Sequence, residues 1–170
     1  GGLQAIAPLF EPLDRALALK LRSQSHWHAD ETRWAVFADV AGKVGHRWYL
    51  WVFHSSAVVH YVLDESRSTA VIEGELAGVE QGVISCDRYS AYKKFARLHP
   101  GVALAFCWAH QRRDFLEFAN AYPQLSGWAM GWVDEIGQLY HLNAMRLQAP
   151  GGSRLRATNQ AALRQAVASM

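Results

Sequence analysis

Along residues 3–22 the apolar positions Leu3, Ile6, Leu9, Leu13, Leu17 and Leu21 recur every three or four residues, the spacing of one helix face. Pro8 and Pro12 confine regular helix mainly to the part after Pro12. From residue 25 the pattern becomes that of strands. SHWHADETRWAVFADV, HRWYLWVFHS and AVVHYVLDES are aromatic and β-branched runs, the first ending near a turn signal at Gly42, and together they predict a three-stranded antiparallel meander. STAVIEGELAGV predicts a short helix opened by a Ser or Thr cap and closed near Gly78. GVISCD is short and almost wholly apolar, as in a strand covered on both faces. SAYKKFARL places Ala91, Phe95 and Leu98 at helical spacing and stops at Pro100-Gly101. VALAFCWAH predicts another buried strand, and QRRDFLEFANAY a helix up to Pro123. Leu125 to Leu147 predicts a long helix with Trp128, Trp132, Ile136, Leu139 and Tyr140 on one stripe. APGGSR is a linker, and the Ala-, Gln- and Arg-rich residues after it have no strong apolar face.

Three antiparallel strands followed by two helix-linked strands predict an α/β chain. Its core is a mixed five-stranded sheet with helices on both faces and a helical C-terminal extension. This is the element order of the ribonuclease-H-like fold, in which the first and fourth strands lie side by side and each contributes an acid to one metal site. The predicted organisation is a helical lead-in over 1–24, the sheet-containing core over 25–147, and a linker with a weak helix over 148–170. A length of 170 residues fits one domain with a small appendage, and seven Trp supply bulk for its core.

Charge and cysteine content narrow the classes. No apolar run reaches the roughly 20 residues that span a bilayer, so no membrane partner is expected. The first twenty residues lack the early basic cluster of a secretory signal, and the chain starts without Met, which suggests a fragment. Cys86 and Cys107 are too few for a disulfide framework, and a reducing cytosol is the default. The net charge of +2 says little, but its distribution says more. Arg88, Lys93, Lys94, Arg97, Arg112 and Arg113 fall in one segment without an acid, leaving 11 basic and 15 acidic residues elsewhere. Such a segment is either a phosphate-binding surface or a solvated helix face.

Candidate chemistry starts from HADET, where Asp30 and Glu31 interrupt an apolar, aromatic strand. A buried carboxylate is costly unless paired or ligated to a cation; at an edge it simply faces water. Asp87 ends the fourth strand, so in the predicted fold it converges with Asp30. A divalent cation between them would relieve their repulsion, and hard oxygen donors favour Mg²⁺ or Mn²⁺ over zinc. Asp39 and Asp64 are expected at strand ends in solvent. Cys107 and His110 have the spacing of half a zinc site, which Cys86 could join, although a buried thiol and a hydrogen-bonded His account for them as well. Arg112 and Arg113 stand where a helix begins, a good place for phosphate contacts, while His26 and His28 share a strand face and read mainly as sheet surface.

HADET, then CDRYSAY, then CWAHQRRDF resemble, in this order, the catalytic core of insertion-sequence 66 family transposases, bacterial enzymes of the Asp-Asp-Glu class. The resemblance covers roughly residues 3–147. It implies a ribonuclease-H-like fold and Mg²⁺-dependent DNA strand cleavage and transfer in transposition, with Asp30 and Asp87 as the first two metal-binding catalytic acids. It also implies transposon ends and target DNA as partners, and the basic residues Arg88, Lys93, Lys94, Arg112 and Arg113, with His110, are the expected contacts to that DNA. Full-length transposase or a second copy is a further expected partner, and the bacterial cytoplasm, at the nucleoid, the expected location. Two departures stand out. The family usually has Gly after the second Asp, where this chain has Arg88. The family's third acid lies in an Asn-Asn-x-x-Glu-Arg segment that does not occur before Met170, and Glu135 is the best substitute. The expectation is therefore a core truncated before its third acid and inactive alone. Alternatives are a non-catalytic DNA- or transposase-binding fragment, a stand-alone nuclease using Glu135, and a zinc-stabilised domain.

Overall fold

The structure, a computed structural model, describes residues 2–36 and 47–170. The chain opens with α1 (Gly2–Ile6), a 3₁₀ turn (Ala7–Phe10) and α2 (Glu11–Arg22). The apolar spacing of this segment buries less than it predicts. Among the described side chains of the segment only Ala18 and Leu21 are buried, while Leu9, Leu13 and Leu19 are exposed, because the apolar contacts of α2 with the core come from its last turns.

Next come β1 (His26–Ala35), β2 (Arg47–His54) and β3 (Val59–Asp64), α3 (Thr69–Glu75), β4 (Gly82–Cys86), α4 (Ser90–Leu98) and β5 (Val102–Phe106). The strands form one sheet in the order β3-β2-β1-β4-β5. Pairs β3–β2 and β2–β1 are antiparallel, and β1–β4 and β4–β5 are parallel. The meander and the adjacency of first and fourth strands are as the sequence predicts, and the strand order is the one expected from the element order. Asp64 ends β3 half-buried, its Oδ1 accepting the Ser66 N–H at 2.6 Å; Asp39 and Gly42 lie outside the described residues.

The core lies on one face of the sheet. Trp27, Ala29, Trp51, Phe53, Ile84, Cys86 and Val102 point into it from the strands, and Ile72, Ala91, Tyr92 and Phe95 meet them from α3 and α4. Ser68 caps α3, its hydroxyl accepting the Ala70 N–H at 3.3 Å, and Thr69 donates to the Ala91 carbonyl of α4 at 3.2 Å. A clasp closes the other edge. His60 of β3 is buried between Glu75 of α3, 2.7 Å from Nδ1, and Asp14 of α2, 3.0 Å from Nε2. Burial opposes the charged imidazole, but the two carboxylates outweigh it and raise the His60 pKa.

The opposite face of the sheet is open. Val59, Tyr61 and Leu63 of β3 and Trp34 of β1 are exposed on it. This corrects the reading of the fourth and fifth strands as fully buried: Val83 and Ser85 are only half-buried, and β5, at the sheet edge, buries only Val102. Their apolar composition reflects small residues tolerated on an open face, not cover on both sides.

The chain divides into two compact units, residues 1–107 and Trp108–Met170. The second contains α5 (Trp108–Ala121), a 3₁₀ turn (Pro123–Leu125), α6 (Ser126–Gln148) and α7 (Arg154–Ser169). Phe115 stacks on Trp132 with 5.7 Å between centroids, and Trp128 meets Phe115 and Phe118 edge-on. The buried line of α6 is Ala129, Val133, Ile136 and Leu139, so the expected stripe is displaced by part of a turn and leaves Trp128 and Tyr140 exposed. The terminal segment is a full helix: the Ser153 hydroxyl accepts the Arg156 N–H at 3.1 Å, and buried Asn159 donates to the Met145 carbonyl at 3.0 Å.

Candidate functional site

Strand alternation sends Asp30 and Glu31 to opposite faces. Asp30 is exposed on the open face, and its Oδ1 accepts the Glu31 N–H at 3.0 Å. It sits at the edge of a shallow depression lined by Thr32, Leu50, Val52 and Tyr61. The Glu31 side chain is fully buried on the core face. Both Arg67 Nε and Nη2 approach its Oε1 at 2.7 Å, and the Tyr92 hydroxyl donates to Oε2 at 2.6 Å. Burial pushes the Glu31 carboxyl upward against these partners; Arg67, although burial lowers it, is raised overall by Glu31.

Asp87 is the first residue past β4. The parallel pairs His26↔Val83, Trp27↔Ile84 and His28↔Ser85, continued two residues further, bring Asp30 level with Asp87. One Asp87 oxygen accepts the Tyr89 N–H at 2.8 Å. This short turn lets the chain leave the strand and enter α4 at Ser90. Burial, then Asp87, Glu31, Cys107 and Asp30, push the Cys86 thiol up to about 12. That thiol is a core group far from thiolate chemistry.

Histidines border the same open face. The His26 Nε2 lies 2.9 Å from the Ser85 hydroxyl, and the His28 ring centroid is 4.8 Å from that of His26 and 5.6 Å from that of His54. Burial and the two neighbouring imidazoles lower the His28 pKa. Among the described residues no group of three or more His, Cys, Asp or Glu is arranged to hold a metal ion, so the zinc reading of Cys86, Cys107 and His110 gains no support. Carboxylate oxygens such as those of Asp30 and Asp87 are the kind of donor a hard dication prefers.

The basic residues are divided between the units. Arg88, Lys93 and Lys94 are exposed on the loop after β4 and on α4, with the Lys93 ammonium 5.9 Å from the Phe106 ring centroid. His110, Arg112 and Arg113 lie on the first turns of α5 in the second unit, where Arg113 is 3.8 Å from Glu117. Glu135 is exposed on α6, beside Trp128, Trp132 and the last residues of α7.

Residues 2–170 match the family model described as Transposase IS66 family. The chain belongs to the IS66 transposase family. Two proteins of Sinorhizobium fredii are similar: y4jD, described as uncharacterized, 36% identical over 126 residues (66% of this chain, 24% of the relative), and y4qI, likewise described, 30% identical over 123 residues (64% and 22%). The chain thus spans about a quarter of the length of these relatives. Among solved structures, the HTLV-2 integrase catalytic core domain in complex with magnesium, in a trimeric form, is similar at 13% identity and a TM-score of 0.35, over 77% of this chain and 93% of that one.

Arg67, Tyr89 and Tyr92 hold the surroundings of the two acids. Arg67 lies in a loop between elements and carries no sequence signal, and the two tyrosines fall within CDRYSAY with nothing there to mark their partners. The one available cue was Glu31, a carboxylate that had to find a partner if its strand was buried.

Proposed function

We propose that this chain is the part of a transposase catalytic core that supplies the first two acids of a divalent-metal site. The intact enzyme would use that site for Mg²⁺- or Mn²⁺-dependent cleavage and transfer of DNA strands. The observation that supports this best is the parallel β1–β4 pairing up to His28↔Ser85, whose continuation by two residues would set Asp30 level with Asp87, in a chain of this family. Side-by-side carboxylates repel, and hard oxygen donors suit Mg²⁺ or Mn²⁺. When bound, such an ion activates a water and stabilises the leaving oxygen of a phosphodiester.

The chain's own groups have definite parts in this reading. Asp30 presents its carboxylate from a strand, and Asp87 keeps one oxygen on the Tyr89 N–H with the other available to a cation. Arg88, Lys93 and Lys94, with His110, Arg112 and Arg113, hold backbone phosphates, contacts that position DNA without reading its sequence. Transposon ends and target DNA are the substrates, and a full-length transposase or a second copy is the further partner. Two carboxylates hold an ion loosely, and in-line displacement uses further ligands. The chain alone therefore binds the ion weakly and does not transfer strands.

Two measurements test this. Mn²⁺ binding should be saturable and should disappear in Asp30→Asn and in Asp87→Asn; binding that survives both substitutions overturns the site. Incubation with supercoiled plasmid in Mn²⁺ should give no nicking. Nicking abolished by both Asp87→Asn and Glu135→Gln would instead make the chain a nuclease with Glu135 as third ligand.

A further inference from the structure

The two aspartates are linked through groups on the core side of the sheet. Glu31 is next to Asp30 in β1, yet its side chain faces the core and both its oxygens are taken, Oε1 by Arg67 and Oε2 by Tyr92. It is an anchor, not a ligand. The Arg67 guanidinium also lies 4.0 Å from the centroid of the Tyr89 ring. The Tyr89 hydroxyl donates to the Arg67 carbonyl at 2.7 Å, and the Tyr89 N–H holds Asp87 at 2.8 Å. From Arg67, then, one path runs through Glu31 to the backbone of Asp30, and another through Tyr89 to the carboxylate of Asp87.

We infer that Arg67 is a positioning residue for the two-aspartate site: by gripping Glu31 and Tyr89 together it fixes how far apart Asp30 and Asp87 stand and how they are aimed. The inference rests on the metal-site reading above. A buried ion pair by itself is a poor source of stability, since an apolar pair of similar volume does as well or better. What a guanidinium adds is a planar fork that hydrogen-bonds one group in a fixed direction while its face stacks on an aromatic ring, which an ammonium cannot reproduce. Arg67 is itself held in place, between the Ser66 N–H bonded to Asp64 and the Ser68 cap of α3. This grip joins the loop that carries Asp87 to Glu31 of β1, so its loss loosens the hold on the second acid.

The test uses the whole 170-residue chain and Mn²⁺ as the probe. Paramagnetic broadening of amide NMR signals is followed at residues 29–31 and 86–89, alongside thermal melting. In the wild type both segments should broaden together along one saturation curve. Arg67→Lys, which keeps the charge and loses the fork, should weaken binding about tenfold or more, the usual effect of removing a group that orients a metal ligand. Tyr89→Phe, which removes one hydroxyl and keeps the ring and N–H, should weaken it by about threefold to tenfold. A merely structural role would lower the melting temperature and leave the Mn²⁺ curve of the folded protein unchanged, and that result in either folded variant overturns the inference. If Arg67→Lys fails to fold, Tyr89→Phe decides by itself. Absence of broadening in the wild type is a different failure, because it removes the metal site itself.

Discussion

At Gly82 the backbone has φ 153°, and a Cβ there would run into the Trp27 ring and stand 2.8 Å from the Ser25 carbonyl oxygen. Trp27 cannot retreat, because it is fully buried and its indole N–H donates to the Leu21 carbonyl at 2.8 Å. Gly82→Ala should therefore destabilise the protein by about 1–3 kcal/mol, the range for overpacking a well-packed site, as read from urea unfolding. A loss below a few tenths would mean the start of β4 yields easily. The same contact sets the start of the β1–β4 pairing, His26 against Val83, so one absent side chain helps fix the register on which the two aspartates depend. Glu31 and Asp30 give the complementary lesson. They are chemically alike neighbours, and alternation alone assigns one to the core and the other to the open face.

Among the elements, β2 and β3 show how unequal the two faces are. Phe53 is fully buried and pairs with His60, whereas Tyr61, paired with Val52, is 61% exposed. Phe53→Ala should cost about 3–5 kcal/mol, and Tyr61→Ser should stay within about 0.5 kcal/mol of wild type, both by equilibrium unfolding; similar losses at both positions would mean the open face is covered in solution. The His60 clasp joins α2, β3 and α3 and carries a pH signature. Its folded pKa is raised above the ordinary histidine value, so its stabilisation is fully present below about pH 6.5 and is lost as the pH rises through the folded value. The stability gap between wild type and His60→Gln should thus be widest below about pH 6.5 and narrow as the pH rises above it. A gap that stays constant or widens would show that the imidazole is held neutral.

Over the whole molecule, charge is segregated more sharply than the net +2 suggests, with six basic residues between Arg88 and Arg113 and no acid among them. If this segment meets DNA, binding is independent of sequence and falls steeply with salt. Replacing Arg112 and Arg113 together with Ala should weaken it and reduce the slope of log affinity against log salt by about 1–2. An unchanged slope would make these residues a solvated helix face. The division at Cys107/Trp108 was not legible in the sequence, where CWAHQRRDF runs through it without Pro, Gly or any change in composition. Contact density decides such a boundary, and it depends on partners far along the chain.

What the sequence determined by itself was local. Periods of two and of 3.6, turn residues and caps placed five strands and the helices between them in order, and that order fixes which strands can be neighbours. Asp30 and Asp87 could be singled out because each carries charge at a place where its surroundings are apolar. Only the tertiary structure decided that Glu31 turns inward to Arg67, that Tyr89 holds Asp87, and that β5 lies at an edge with one residue buried. It also decided that the buried line of α6 runs through Ala129 and Val133 and not Trp128. The reason is common to all four. A side chain's partner and a strand's cover are supplied by segments remote in sequence, and apolar periodicity records that a face is buried without recording by what.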